Sequence, residues 1–101
     1  MITITMHRDK KHRYTGFTIS GHADYDEAGS DIVCAAVSAL SQTALLGLMQ
    51  YASQDVPYEV NDGFLSVQVP KPCEASQIIL GTMVAGLEQI VRQYGEYVVL
   101  D

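Results

Sequence analysis

The sequence predicts a single α+β domain in the order β-β-α-β-β-α-β, with a mixed sheet packed against two long helices. Three observations predict it. Alternating stretches of apolar and polar residues appear at both ends and in the middle of the chain. Two longer stretches carry apolar residues every three or four positions. Proline, glycine and Asn-Asp-Gly punctuation separates them. Period two marks half-buried strands and period 3.6 marks helices. A chain of 101 residues, 48% hydrophobic, supports one core and has no room for two.

The elements follow in order. Ile2, Ile4 and Met6 share one face of a first strand, with Thr3 and Thr5 on the other. A basic run, His7 to Arg13, reads as a solvated hairpin tip. Tyr14 to Ser20 returns as a second strand, with Thr15, Phe17 and Ile19 on one face, and Gly21 breaks it. His22 to Ser30 has no strong periodicity and reads as an exposed loop of some mobility. From Asp31 to about Ala52 the period turns helical through Val33, Val37, Leu40, Ala44 and Leu48. Either Ser30 or Asp31 can cap it. This helix has no charge after Asp31, so both its flanks are expected to be largely covered.

Pro57 ends the helical region, and Asn61-Asp62-Gly63 marks a hairpin between Tyr58–Val60 and Phe64–Val69. Pro70 and Pro72 lead into a second helix from about Glu74 to Tyr94, with Gly95 as its C-cap. Tyr97 to Leu100 form a short last strand. Strand order does not follow from these patterns.

Net charge is −6, which disfavours non-specific nucleic-acid binding and suits a cationic partner. No run of about 18 consecutive apolar residues is present. The first residues alternate like a strand and lack the pattern of a signal peptide. Two cysteines do not make a disulfide framework, so a reducing cytoplasm is the expected location. The histidines and cysteines match no zinc spacing, and nothing calls for a cofactor.

The residues with chemistry cluster around the first helix start. Cys34 falls in its first turn, and helix N-termini favour the thiolate, the nucleophilic form of cysteine. His22 follows the strand end at Gly21, twelve positions earlier, and a histidine that folds back onto a thiol makes a nucleophile–base pair. Asp31, Cys34 and Ser38 project from one side of the helix. Asp31 either orients His22 or serves purely as the N-cap, and Ser38 either bonds near the site or bonds back to its own helix. Unpaired N–H groups at the helix start are expected to hold an oxyanion. Cys73, at the second helix start, is expected to be structural, with a thiol also open to activation. A groove for an extended substrate near Cys34 has Tyr25 and Met49 as possible lining.

Gly21-His22-Ala23, followed by Gly29-x-Asp31-Ile32-Val33-Cys34-Ala35-Ala36-Val37-Ser38, resembles the signature of the ribosomal-processing cysteine proteases known as Prp. Length and element order match that family across essentially the whole chain. The resemblance implies that Cys34 is the nucleophile and His22 the general base, with Asp31, Ser38 and Gly21 in support. It implies a substrate, a large-subunit ribosomal protein whose N-terminal extension is removed before ribosome assembly. It also implies a homodimer and a flexible loop between His22 and Cys34 that gates the site. Two rivals need no proteolysis: a ribosome-associated binding module with Cys34 in the core, and a redox sensor in which Cys73 resolves an oxidised Cys34.

Overall fold

The computed structural model describes residues 1–27 and 31–101. Gly29 and Ser30 of the motif, and that part of the loop expected to be mobile, lie outside the described residues. The elements are β1 (Ile2–Arg8), β2 (Tyr14–Ser20), α1 (Ile32–Tyr51), β3 (Tyr58–Asn61), β4 (Phe64–Gln68), α2 (Glu74–Tyr94) and β5 (Val98–Leu100). This is the expected order, with the last strand one residue shorter than the alternation predicts.

The strands form one mixed sheet in the order β3-β4-β2-β1-β5. β1 pairs antiparallel with β2 and parallel with β5, while β4 pairs antiparallel with both β2 and β3. Each helix therefore links two parallel strands that are not neighbours. α1 carries the chain from β2 over β4 to β3, and α2 carries it from β4 over β2 and β1 to β5.

Register sets the core. Ile4 lies opposite Ile19, and Ile19 opposite Leu65. Met6 lies opposite Phe17, and Phe17 opposite Val67. Alternation turns these rows to one face, where Ile4, Phe17, Ile19, Leu65 and Val67 are buried. Val33, Val37, Ala44, Leu45 and Leu48 of α1 and Leu80, Met83 and Leu87 of α2 join the same core. Thr3, Thr5, Thr18 and Ser66 take the other face and are only partly covered. Both helices thus lie on one face. They approach closely where Leu40 meets Gly86 and Ile79 meets Gly47, since a side chain at either glycine would touch its neighbour.

One expectation fails. The outer flank of α1 is bare: Ile32, Leu46, Met49 and Tyr51 are 54%, 56%, 49% and 68% exposed. α2 and the sheet cover the rest of its circumference, and among the described residues no third layer covers this side. By length and composition α1 is long and apolar enough to cross a membrane. Its inner face is nevertheless built into the core of this domain.

Side-chain carboxylates and amides fix the turns. Asp9 Oδ1 accepts from the backbone N–H groups of Lys11 and Arg13, and Oδ2 meets Arg13 Nε at 2.9 Å. The Arg13 backbone bond leads the contacts that hold the Asp9 carboxyl below its ordinary value of 3.8. Asp31, not Ser30, is the N-cap of α1, and its Oδ1 accepts from Val33 N and Cys34 N, both at 2.9 Å. Desolvation pushes the Asp31 carboxyl up. Backbone N–H bonds led by that of Cys34 outweigh it and hold the group below 3.8. Gln77 bridges both backbone polar groups of Tyr14, at 2.7 and 2.8 Å, and so ties α2 to the start of β2. At the C-terminus of α2, Gly95 is the C-cap as expected, in right-handed backbone geometry.

Two outcomes test this packing. Leu48 is fully buried, so Leu48→Ala should lower the unfolding free energy by about 2–5 kcal/mol in urea denaturation. Asp31 and Asp9 both sit below 3.8 in the folded state, so their stabilising contribution is complete above pH 3.8 and is lost as the pH falls through the lowered folded values. Asn caps helices about as well as Asp. Asp31→Asn should therefore keep the fold at neutral pH and show a shallower fall of Tm with acid, followed by circular dichroism.

Candidate active site

Gly21 ends β2 in a conformation that suits glycine, with φ +94. A Cβ there would fall 2.2 Å from the Met1 carbonyl oxygen. Its N–H donates to the Gly63 carbonyl at 2.9 Å, which docks the β3–β4 hairpin tip against the turn. His22 follows. Its carbonyl accepts from the Met1 ammonium, and its side chain is exposed, with Nε2 3.8 Å from Asp62 Oδ1. Ala23 is buried. Its N–H donates to Cys34 Sγ at 3.3 Å.

That bond joins the turn after β2 to the first turn of α1. Cys34 is half-buried, and its sulfur accepts this backbone N–H. His22, Cys34, Asp31 and Ser38 all line one cavity of about 710 Å³. Val60, Asp62 and Leu65 form its opposite wall. The cavity exists because the helical layer stops short of β3, leaving Tyr58 and Val60 each 52% exposed on the inner side of the sheet.

The structure brings the expected residues to one place and corrects several details. His22 and Cys34 face the same cavity, but among the described residues Sγ takes its hydrogen bond from Ala23 N–H, not from the imidazole. Asp31 does not orient His22. Its Oδ1 is taken by the helix N–H groups and its Oδ2 by Tyr25 N–H at 3.0 Å. For the same reason the helix start offers no ready oxyanion site at Val33, Cys34 or Ala35, whose N–H groups bond to Asp31. Ser38 is exposed on the cavity wall, and the serine that bonds back to its helix is Ser41, through Val37 O at 2.8 Å.

Tyr25 and Met49 do not line the cavity. Tyr25 packs edge-on against Tyr94 and Tyr97, with ring centroids 5.6 and 5.1 Å apart, and anchors the loop to the end of α2. Met49 lies near the far end of α1, on its bare flank.

Cys73 has a separate role. Its Sγ accepts from Ser76 N–H while Ser76 Oγ accepts from Cys73 N–H, a capping box for α2. The Ser76 backbone bond is the main cause that lowers its thiol pKa, as its helix-start position led one to expect. Its sulfur contacts the Ala52 carbonyl, beyond the end of α1. At 1.5 Å rise per residue, Cys34 lies about 27 Å from there along the helix. A disulfide needs Cα atoms within about 7 Å, so Cys73 cannot resolve an oxidised Cys34 within one chain.

The sequence assigned no role to Ala23, quoted only within the motif, or to Asp62. The Ala23 donor is a backbone group with no side-chain signature, and Asp62 reads only as a turn residue. The nearest sequence signal for both is Gly, at 21 and 63, where backbone must pass close to another group.

Comparison with known proteins identifies the family and matches the fold. The curated ribosomal processing cysteine protease Prp of Staphylococcus aureus strain Mu50 is 34% identical over 105 residues, covering 100% of this chain and 98% of that protein. The crystal structure of the S. aureus Prp protease with a covalently linked product peptide superposes with TM-score 0.93 at 30% identity, covering 100% of this chain and 98% of that one. The S. aureus structure with a substrate peptide superposes with TM-score 0.83 at 27% identity, with the same coverage. Residues 1–99 match the family described as cysteine protease Prp. A thiol held at a helix start beside a histidine turn, on this sheet and over this length, therefore places the chain in the Prp family of cysteine proteases.

Proposed function

We propose that this chain is a ribosomal-processing endopeptidase that removes the N-terminal extension of a large-subunit ribosomal protein before ribosome assembly, with Cys34 as nucleophile and His22 as general base. The observation that carries this reading is the shared cavity. Cys34 and His22 line it together, and the Ala23 N–H is already bonded to the Cys34 sulfur. Family membership supplies the substrate class, since the S. aureus relative is named for ribosomal processing and has been solved with substrate and covalently linked product peptides.

The chemistry is acyl transfer in two halves. His22 takes the Cys34 thiol proton as sulfur attacks the scissile carbonyl carbon. The tetrahedral oxyanion collapses, His22 gives its proton to the leaving amine, and the C–N bond breaks to leave a thioester on Cys34. Water then attacks the thioester with His22 accepting its proton. The C–S bond breaks, the peptide acid departs and the thiol is restored. Apo geometry in which base and nucleophile share a cavity without a mutual hydrogen bond is compatible with this, because such bonds tighten in the substrate complex.

Asp31 supports the nucleophile by capping its helix and tying Tyr25 to it. Gly21 allows the turn that carries His22. Ser38 lines the wall beside Cys34 and supports the site from there. The acidic balance of the chain, −6, suits a basic ribosomal protein and counts against direct nucleic-acid binding. Two free thiols fit a reducing cytoplasm. The protein works as a homodimer, a reading supported by the bare apolar flank of α1 from Ile32 to Met49.

Intact-mass analysis of the N-terminally extended ribosomal protein after incubation tests the activity. Wild type should make one cut. Cys34→Ala and His22→Ala should each lower the rate by at least about a thousandfold, and Cys73→Ser should cut normally. Undiminished cleavage by Cys34→Ala would end the reading. Light scattering tests the assembly. Leu46→Lys combined with Met49→Lys should halve the mass in solution, and an unchanged dimer would move the interface elsewhere.

A further inference from the structure

An imidazole that shuttles protons needs its ring held. Asp31 was the expected partner, but its carboxylate is spent on α1 and on Tyr25. Asp24 Oδ2 lies 3.7 Å from the Met1 ammonium, and Asp26 Oδ1 accepts from Glu27 N–H. These are the other carboxylates around the cavity, and each has its own partner.

The His22 ring lies against a different element. The hairpin tip between β3 and β4 meets it with two residues. Gly63, at φ +69, passes so close that a Cβ would fall 2.6 Å from Nε2. Asp62 Oδ1 stands 3.8 Å from the same nitrogen. The tip is not loosely placed. Ser20 pairs with Phe64 in the β2–β4 ladder, and Gly21 N–H closes onto Gly63 O one step beyond. The sheet itself therefore carries Asp62 to the edge of the ring, forty residues away in sequence.

We propose that Asp62 is a positioning residue for His22: its carboxylate faces Nε2, leaves Nδ1 as the nitrogen for the Cys34 proton, and stabilises the imidazolium formed when that proton arrives. This rests on the reading of His22 as general base. At 3.8 Å the pair is an ionic attraction and not a hydrogen bond, and it favours the ring orientation that turns Nε2 toward the hairpin tip. Asp62 is fully exposed, so the effect is that of a solvated pair and is screened by salt.

The test is steady-state cleavage of the extended ribosomal protein by Asp62→Ala, Asp62→Asn and Asp62→Glu, with Cys34→Ala and His22→Ala alongside. The exposed side chain makes a folding defect easy to separate, and an unchanged Tm is the control. Asp62→Ala and Asp62→Asn should lower kcat about three- to fivefold, the range an exposed ion pair supports, and leave KM unchanged. Asp62→Glu should restore most of the loss. At about 1 M NaCl wild-type kcat should fall toward that of Asp62→Ala, whose own kcat should not move. Wild-type kcat in Asp62→Ala, a change in KM alone, or equal losses in Ala and Glu would overturn the positioning role while His22→Ala and Cys34→Ala remain dead. Cleavage retained by His22→Ala would overturn the general-base reading and the positioning role with it.

Discussion

The Asp31 carboxylate joins the two segments on which the site is built. One oxygen takes the N–H groups of Val33 and Cys34, which starts α1 at the position that presents the thiol. The other takes Tyr25 N–H, which holds the chain leaving β2 against the same helix end. Two residues before Tyr25 lies Ala23, whose N–H reaches Cys34 Sγ. Releasing the carboxylate would loosen the sulfur's environment from both sides. The remainder of the fold supplies rigid supports for this junction: the buried sheet rows under α1, and Tyr94 and Tyr97 behind Tyr25.

The second support is the β2–β4 pairing. Neighbouring strands bring the end of β2, and so His22, beside the turn at Asp62 and Gly63. Because β3 lies outside the helical layer, its inner-facing Val60 walls a cavity in place of filling a core. A five-stranded sheet with two helices on one face cannot cover every strand.

Much of this was legible in the sequence, for local reasons. Helix limits followed from apolar spacing and from Pro57 and Pro72, and α2 runs from Glu74 to Tyr94 as the spacing predicts. The Gly21-His22 turn and Cys34 helix start came from a local motif, and the fold brings them to one cavity. What stayed hidden is non-local or made of backbone. Strand order depends on pairings that no periodicity encodes. The charge-free surface of α1 gave no sign of which flank stays bare, because Ala, Ser and Leu serve equally on covered and uncovered sides. The choice between Asp31 as cap and as orienter needed the count of N–H groups around its carboxylate.

The free edge of β3 has a consequence for solubility. An unpaired edge strand with apolar side chains is a template for other chains, and Tyr58 and Val60 offer both hazards at once. This edge is nevertheless only four residues long, follows Pro57, and carries the charged Glu59 on the face opposite Tyr58 and Val60. Those are devices that limit intermolecular sheet growth. Glu59→Gln would leave β3 without a charged residue, and storage at high concentration would then favour aggregates nucleated at this edge.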